Sequence, residues 1–496
     1  MAPAAPPFSL SGARAPHLMK TVADLPAPPH EGFSGHALAF RRERGELFVR
    51  AQRTAGDIGR IRFFNIDLVT LNAPELIRQV MVEQASVFPK SLALRMAFFP
   101  LAGKGLFTSE GDLWKRQRKL MSPMFHPAVV RGYAETMSAV IARYLDGWKD
   151  GDVLDMGREM TRITMAVVGK VLFDAETFDD ADELGAAIRV MFHYVADLGG
   201  SPVLIARATL ALKLLDLGAL PARAEAVRAR AIEQLSMPLR LPTPRSRRLY
   251  AAIATLDDKV RRMIDERRRV GSDRPDLLSR LLAARDEDDG SVMTDRQVRD
   301  EAVTLFVAGH ETTATSTTWA LYFLSRDREV YRRWKDEAAA LGGRVPTADD
   351  APRLPYALGI FKEALRLYPP AFLLDRVATE DVEVGGYLIP RRTPVFVCPY
   401  ALHRQPALWP EPERFDPDRF TPQAEAARPR LAWLPFGAGP RVCIGAQFAS
   451  LEAQLLLAQI AQRFDLEPVG DEPILPDFDK TLRPAKPVMV RVRRAS

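Results

Sequence analysis

The stretch from Thr294 to about Leu324 constrains the fold of this chain more than any other. Thr294 with Gln297 three residues on forms a capping box, and Asp295 suits the positive end of a helix dipole. Apolar spacing then continues through Ala308, Gly309, His310, Glu311, Thr312 and Thr313. At ~1.5 Å per residue, a helix of about thirty residues is roughly 45 Å long, enough to cross a whole domain, so it must be largely buried. Leu305, Ala308, Gly309, Thr312 and Ser316 fall on one face. The small residues at 308 and 309 leave room for something flat. A glycine followed by hydroxyl side chains weakens the local hydrogen-bond ladder and invites a bend or a water. Glu311 and Thr312 then set an acid and an alcohol beside that gap. A long core helix with one tolerated glycine, its polar residues facing solvent, accounts for the same residues.

The chain has only two cysteines. One, Cys443, lies in Phe436-Gly437-Ala438-Gly439-Pro440-Arg441-Val442-Cys443-Ile444-Gly445. A thiolate in a glycine-rich turn, with an arginine two residues before it, is what an iron porphyrin needs on its proximal side. Glycines let backbone approach a flat macrocycle and aim N–H groups at sulfur, while Arg441 suits a propionate. The plain alternative is a small buried hydrophobe beside a loop. Cys398, in Val395-Phe396-Val397-Cys398, lacks the glycine loop and is expected to be structural.

Two shorter patterns add to these. In Phe361-Lys362-Glu363-Ala364-Leu365-Arg366-Leu367-Tyr368-Pro369, Glu363 and Arg366 lie one helical turn apart and Pro369 ends the helix. Trp114 and Arg118 share a helical face four positions apart. An ordinary surface pair and an ordinary surface arginine would look the same.

Taken in order along nearly the whole chain, these motifs resemble the cytochrome P-450 family, the haem-thiolate monooxygenases, of the soluble bacterial type. The resemblance implies a mainly α fold with a small β lobe, and haem b between the long helix and the cysteine loop. It implies Cys443 as the axial ligand, with Phe436 and Arg441 beside it. Ala308, Gly309, Glu311 and Thr312 become the oxygen-binding groove, with Thr312 and Glu311 as catalytic residues delivering protons. Trp114, Arg118 and Arg376 become propionate partners. Glu363, Arg366 and Arg414 become a buried charge network that locks the cysteine loop. The reaction implied is insertion of one oxygen atom from O₂ into a C–H or C=C bond. A peroxide-using peroxygenase and a non-catalytic haem sensor or carrier are the rival readings.

Composition sets limits. About 500 residues of near-average content suit one large or two medium domains, and no linker divides the centre. Residues 1–28, rich in alanine and proline, are expected to be a flexible leader, with 29–496 a single haem domain. Arg60–Phe64 and Leu68–Leu71 predict a strand pair, and Val382–Val384 and Pro394–Val397 two further strands. No run approaches the ~20 apolar residues that span a bilayer, and no signal segment opens the chain, so a cytoplasmic protein without a transmembrane anchor is expected. The net charge of +6 is scattered, which disfavours nucleic-acid binding.

The chain has no cysteine cluster for iron and sulfur, so a separate ferredoxin or flavodoxin with its NAD(P)H reductase must supply electrons to the expected monomer. Lys115, Arg116 and Lys119 are candidates to steer that acidic donor. Phe98, Phe99, Phe306, Phe372, Leu373 and Leu374 are candidate lining for a hydrophobic small-molecule substrate, and Pro202–Leu220 a candidate lid.

Overall fold

The long helix forms over Asp295–Leu324 with its capping box in place. Thr294 Oγ1 accepts the Gln297 amide at 3.3 Å, and Gln297 Oε1 accepts the Thr294 amide at 2.8 Å. The computed structural model, which describes residues 20–30, 32–174, 181–198, 201–218, 220–270, 276–285, 290–478 and 481–495, arranges the remaining helices around it. Its hydroxyl-rich second half stays helical because the side chains turn back onto their own ladder. Thr312, Ser316, Thr317 and Thr318 donate to the carbonyls of Ala308, Thr312, Thr313 and Ala314 at 2.6–2.9 Å.

The helix Met156–Phe173 packs along this central helix, and Thr164 Oγ1 donates to the His310 carbonyl at 3.0 Å. A Cβ on Gly309 would lie 3.1 Å from Val168 Cγ2, so close packing of the two helices by itself favours glycine here. Ala308 is exposed and Gly309, Glu311 and Thr312 are half-buried, between buried stretches of the helix. Beyond it, the apolar helix Ala446–Arg463 closes the main core.

The β lobe is a four-stranded sheet in the order Ile58–Phe63, Ile66–Leu71, Pro394–Val397, Leu374–Val377. Its first pair is the expected hairpin, with Ile61 opposite Leu68. The strand Leu374–Val377 is one that sequence did not announce, since four residues with two charges at the centre show no clear alternation. It sets Arg376 opposite Val395.

Of the expected leader, residues 1–19 lie outside the described residues. Residues 20–28 correct the expectation. Lys20 and Thr21 pair in parallel with Tyr387 and Leu388, and Val22 and Leu25 are buried in the β-lobe core. Two apolar residues beside a free strand edge suffice to dock a segment whose average composition reads as loose. Among the described residues no single helix is long and apolar enough to cross a membrane. The helix Pro202–Leu215 buries Ala208 and Ala211 with Met96 and leaves Leu210 exposed.

Candidate functional site

The loop around Cys443 is shaped by two glycines with positive φ, Gly437 at 71° and Gly439 at 66°. At Gly439 a Cβ would also stand 2.0 Å from the Met81 carbonyl oxygen, so no other residue fits. The Cys443 amide donates to the Phe436 carbonyl at 2.8 Å, closing the loop, and the Phe436 ring sits 5.8 Å from that of Trp433. Cys443 has exposed surface, yet enough protein surrounds it that burial pushes the thiol up, opposed by the Gly445 amide and the Arg118 guanidinium. Cys398 differs. It is buried, and burial pushes its thiol up to about 12, leaving it inert as expected.

What holds the loop is a buried network reached from the helix Pro355–Leu367. Glu363 and Arg366, both 0% exposed, form a two-bond pair at 2.7 and 2.8 Å. Arg366 also donates to the carbonyls of His403, Pro412 and Arg414 at 2.9, 2.7 and 3.1 Å. The expected second cation is corrected. Arg419 Nε lies 3.4 Å from Glu363, whereas the Arg414 side chain is exposed and faces Glu411. Arg414 contributes its backbone instead. His403 carries the network to the cysteine loop: the Leu434 amide donates to Nε2 at 2.9 Å, so Nδ1 bears the proton and donates to the Arg366 carbonyl at 3.0 Å. Burial and Arg366 hold His403 neutral, well below its ordinary value.

Cations converge on the other side of the loop. The Arg441 guanidinium stacks on Trp114, 3.3 Å from the ring centroid, and pairs with Glu110. Arg118 donates to the Val442 carbonyl at 2.9 Å, which places it beside Cys443. Arg376 is buried and donates to the Asp375 carbonyl at 2.6 Å. Sequence reasoning missed Lys90, Arg95 and Glu110. Glu110 is the extended residue just before the helix Gly111–Met121, so helical spacing does not place its side chain. Its carboxylate accepts the Lys90 amide at 3.1 Å and lies 3.8 Å from Lys90 Nζ. Burial, with repulsion from Arg441, Arg376 and Arg95 and despite Glu110, drives Lys90 down to about 7. Burial, tempered by Glu110, brings Arg441 down to about 10, and its Nη1 is buried without a hydrogen-bond partner. Four buried or half-buried cations around one shared carboxylate fit a group that brings two more carboxylates, as haem does with its propionates.

The central helix joins this neighbourhood through Glu301, whose Oε2 accepts the Leu106 amide at 2.9 Å while Oε1 has no partner. Burial above all, aided by Asp300 and opposed by the Leu106 amide and Lys90, pushes this carboxyl up to about 8. Above its ordinary 4.5 the unfolded chain releases the proton while the folded chain keeps it to about 8. Stability therefore falls as pH rises through that window, by at most ~1.4 kcal/mol per pH unit. Glu301→Gln is expected to lack this slope, so urea titrations of both proteins at pH 5 and pH 8 should show the variant gaining on the parent; parallel pH profiles would contradict it.

About two turns beyond Glu301 comes Ala308, and a turn further Glu311 and Thr312. Ala308 is exposed and Glu311 and Thr312 are half-buried, in a helix otherwise sunk in the core. Thr312 Oγ1 donates to the Ala308 carbonyl at 2.7 Å, and Glu311 Oε1 accepts from Thr481 Oγ1 at 2.9 Å. Candidate substrate-lining residues divide. Phe98 is half-buried and meets Phe107 and Phe192 edge-on. Phe306 instead packs on Phe173, and two residues turn a helix by ~200°, so it faces away from Ala308. Phe372 is half-buried and meets Phe478 edge-on, with Leu373 half-buried against the same β-lobe cluster. Of the expected donor-steering cations, Lys115 and Lys119 are exposed, while Arg116 is tied to Ser291.

Comparison with known proteins agrees with this geometry. Residues 26–492 match the family model described as Cytochrome P450. The chain is 35% identical to Cyclooctatin synthase of Streptomyces melanosporofaciens over 93% of both chains. It is 32% identical to Pentalenene oxygenase of Streptomyces avermitilis over 88% of this chain and 90% of that one. The crystal structure of the cytochrome P450DA heme domain superposes with a TM-score of 0.78 at 27% identity, over 95% of this chain and 98% of that chain. A match that runs almost end to end, on a helical fold this close to a haem domain, places the chain in the cytochrome P450 family of haem-thiolate monooxygenases.

Proposed function

We propose that this enzyme oxygenates a cyclic terpene or a hydrophobic molecule of that size, with electrons from a separate ferredoxin or flavodoxin and its NAD(P)H reductase. The observation that carries the reading is the exposed Ala308 beside Glu311 and Thr312 in the middle of a buried helix, a groove with an acid and an alcohol at its edge. Relatives named Pentalenene oxygenase and Cyclooctat-9-en-7-ol 5-monooxygenase support the substrate class. Exposed Lys115 and Lys119, on the helix that carries Trp114 and Arg118, suit an acidic donor protein. A thiolate ligand and a reducing cytoplasm belong together.

Bound haem supplies the oxygen chemistry: one atom of O₂ enters the substrate and the other leaves as water, at the expense of two electrons and two protons. The chain does the rest. Cys443 would hold the iron as a thiolate, with Arg118 and the Gly445 amide steadying its charge. Lys90, Arg95, Arg376 and Arg441 would hold the propionates, while Trp114 fixes the plane of Arg441 and Phe436 closes the ligand loop. Thr312 Oγ1, its proton held by the Ala308 carbonyl, would hold a water in the groove as acceptor, and Glu311 would pass protons from solvent to that water. Apolar side chains such as Phe98 exclude water from the substrate.

The test is reconstitution with a surrogate ferredoxin and its NADPH reductase, using pentalenene as substrate. A low-to-high spin shift on binding and an oxygenated product are expected. Thr312→Ala should bind pentalenene equally well yet give at least about ten-fold less product per NADPH, with hydrogen peroxide making up the difference. Unchanged coupling in Thr312→Ala would remove the threonine from the proton path. No spin shift with pentalenene would remove the substrate class.

A further inference from the structure

Glu311 carries no ion pair among the described residues. The partner its carboxylate does have is a neutral hydroxyl from a distant part of the chain. We propose that Thr481 is a positioning residue for Glu311, so that proton delivery depends on the C-terminal hairpin; this rests on the proton-path reading of Glu311 given above. Thr481 Oγ1 donates to Glu311 Oε1 at 2.9 Å across 170 residues of sequence, and Thr481 is 9% exposed.

The described residues on either side of the turn are anchored to the fold. The hairpin's short strands, Pro476–Asp477 and Arg483–Pro484, pair antiparallel with Asp477 opposite Arg483. On one side of the tip, Phe478 packs edge-on against Phe372 and Tyr400 at 5.4 and 5.0 Å. On the other side, the buried Leu482 gives its carbonyl to Trp319 Nε1 at 2.9 Å. Trp319 belongs to the same central helix as Glu311. Adjacent residues, 481 and 482, are thus fastened to that one helix, and the Thr481 hydroxyl has a fixed place relative to the acid.

The chemistry of the partner is informative. A lysine or arginine at this position would hold the carboxylate ionised and rigid through a charge-assisted bond. A hydroxyl orients one oxygen with a weaker preference for the charged form, and leaves Oε2 to take a proton from solvent and release it. Of the other groups nearby, His310 is buried and donates its ring to the Phe306 carbonyl at 2.8 Å. Burial lowers His310 despite Glu311, with Arg189 pushing the same way, so its imidazole stays neutral and does not compete for Glu311.

The experiment uses the holoenzyme with a surrogate ferredoxin and reductase and no organic substrate. Oxygen reduction then divides between hydrogen peroxide, from two electrons and two protons, and water, from four of each. The NADPH-to-O₂ ratio and peroxide yield read that division directly. Thr481→Val is expected to raise the ratio of peroxide to water roughly five-fold, the change that follows from losing one hydrogen bond of about 1 kcal/mol. Thr481→Ser should restore the parent value, the solvent deuterium isotope effect should change in valine alone, and adding Thr481→Val to Glu311→Gln should do nothing further. Thr481→Ala serves the same purpose if the valine variant loses haem. A parent-like division in both Thr481→Val and Thr481→Ala, with Glu311→Gln shifted, overturns the role of Thr481 and leaves the proton path standing. No shift in Glu311→Gln overturns the proton path itself.

Discussion

Glu363→Ala is expected to leave little folded, haem-loaded protein. Glu363 and Arg366 are wholly buried, and the pair also gathers three carbonyls and the Asp416 amide. Removing one partner strands a buried guanidinium, at a cost of about 3–5 kcal/mol. A domain typically has only about 5–15 kcal/mol in reserve. Through His403 the same network holds the Leu434 amide at the entrance to the cysteine loop, so haem retention should fail together with stability. Arg414→Ala is the informative contrast. Its side chain is 63% exposed and Arg366 uses only its backbone carbonyl, which alanine retains. Urea unfolding and haem content should place Arg414→Ala within about 0.5 kcal/mol of the parent and Glu363→Ala far below it. Equal damage from both would return Arg414 to the network.

These two residues also show where sequence reading stops. Spacing sufficed for the central helix, because a capping box and a thirty-residue pattern are local signals. It sufficed for Glu363 with Arg366, which are one turn apart. It could not choose between Arg414 and Arg419, since both follow the same tryptophan and only the path of the chain decides which guanidinium reaches Glu363. Gly309 shows a related limit. A small residue on a helix says that something approaches closely, but not whether that is a ligand or Val168. Phe306 was taken as lining on position along the chain, yet a pocket wall and a core contact look alike until the partner ring is known. Lys90, Arg95 and Glu110 form a site only in three dimensions. Thr481 lies 170 residues from its acid, and nothing local marks it.

Cys443→Ala is expected to have the largest effect on chemistry. With only two cysteines in the chain, the thiolate ligand of the family must be Cys443 or Cys398. Cys398 is buried in the β-lobe cluster, and its thiol is held protonated up to about 12, so it cannot readily supply a thiolate. Cys443 has exposed surface, the Gly445 amide and the nearby Arg118 charge to favour its thiolate against burial, and the glycine turn that brings backbone close. Losing it should abolish oxygenation even if haem remains lodged among the cations, because no sulfur is left to donate density to the iron. Cys398→Ala should keep full activity.

The most direct measurement is the absorption spectrum of dithionite-reduced protein with carbon monoxide, taken for the parent, Cys443→Ala and Cys398→Ala. A strongly red-shifted Soret band in the parent and in Cys398→Ala, absent from Cys443→Ala, is the predicted result. A red-shifted band that survives in Cys443→Ala, or a parent protein without one, would contradict the assignment of Cys443 as the ligand and with it the site built around that loop.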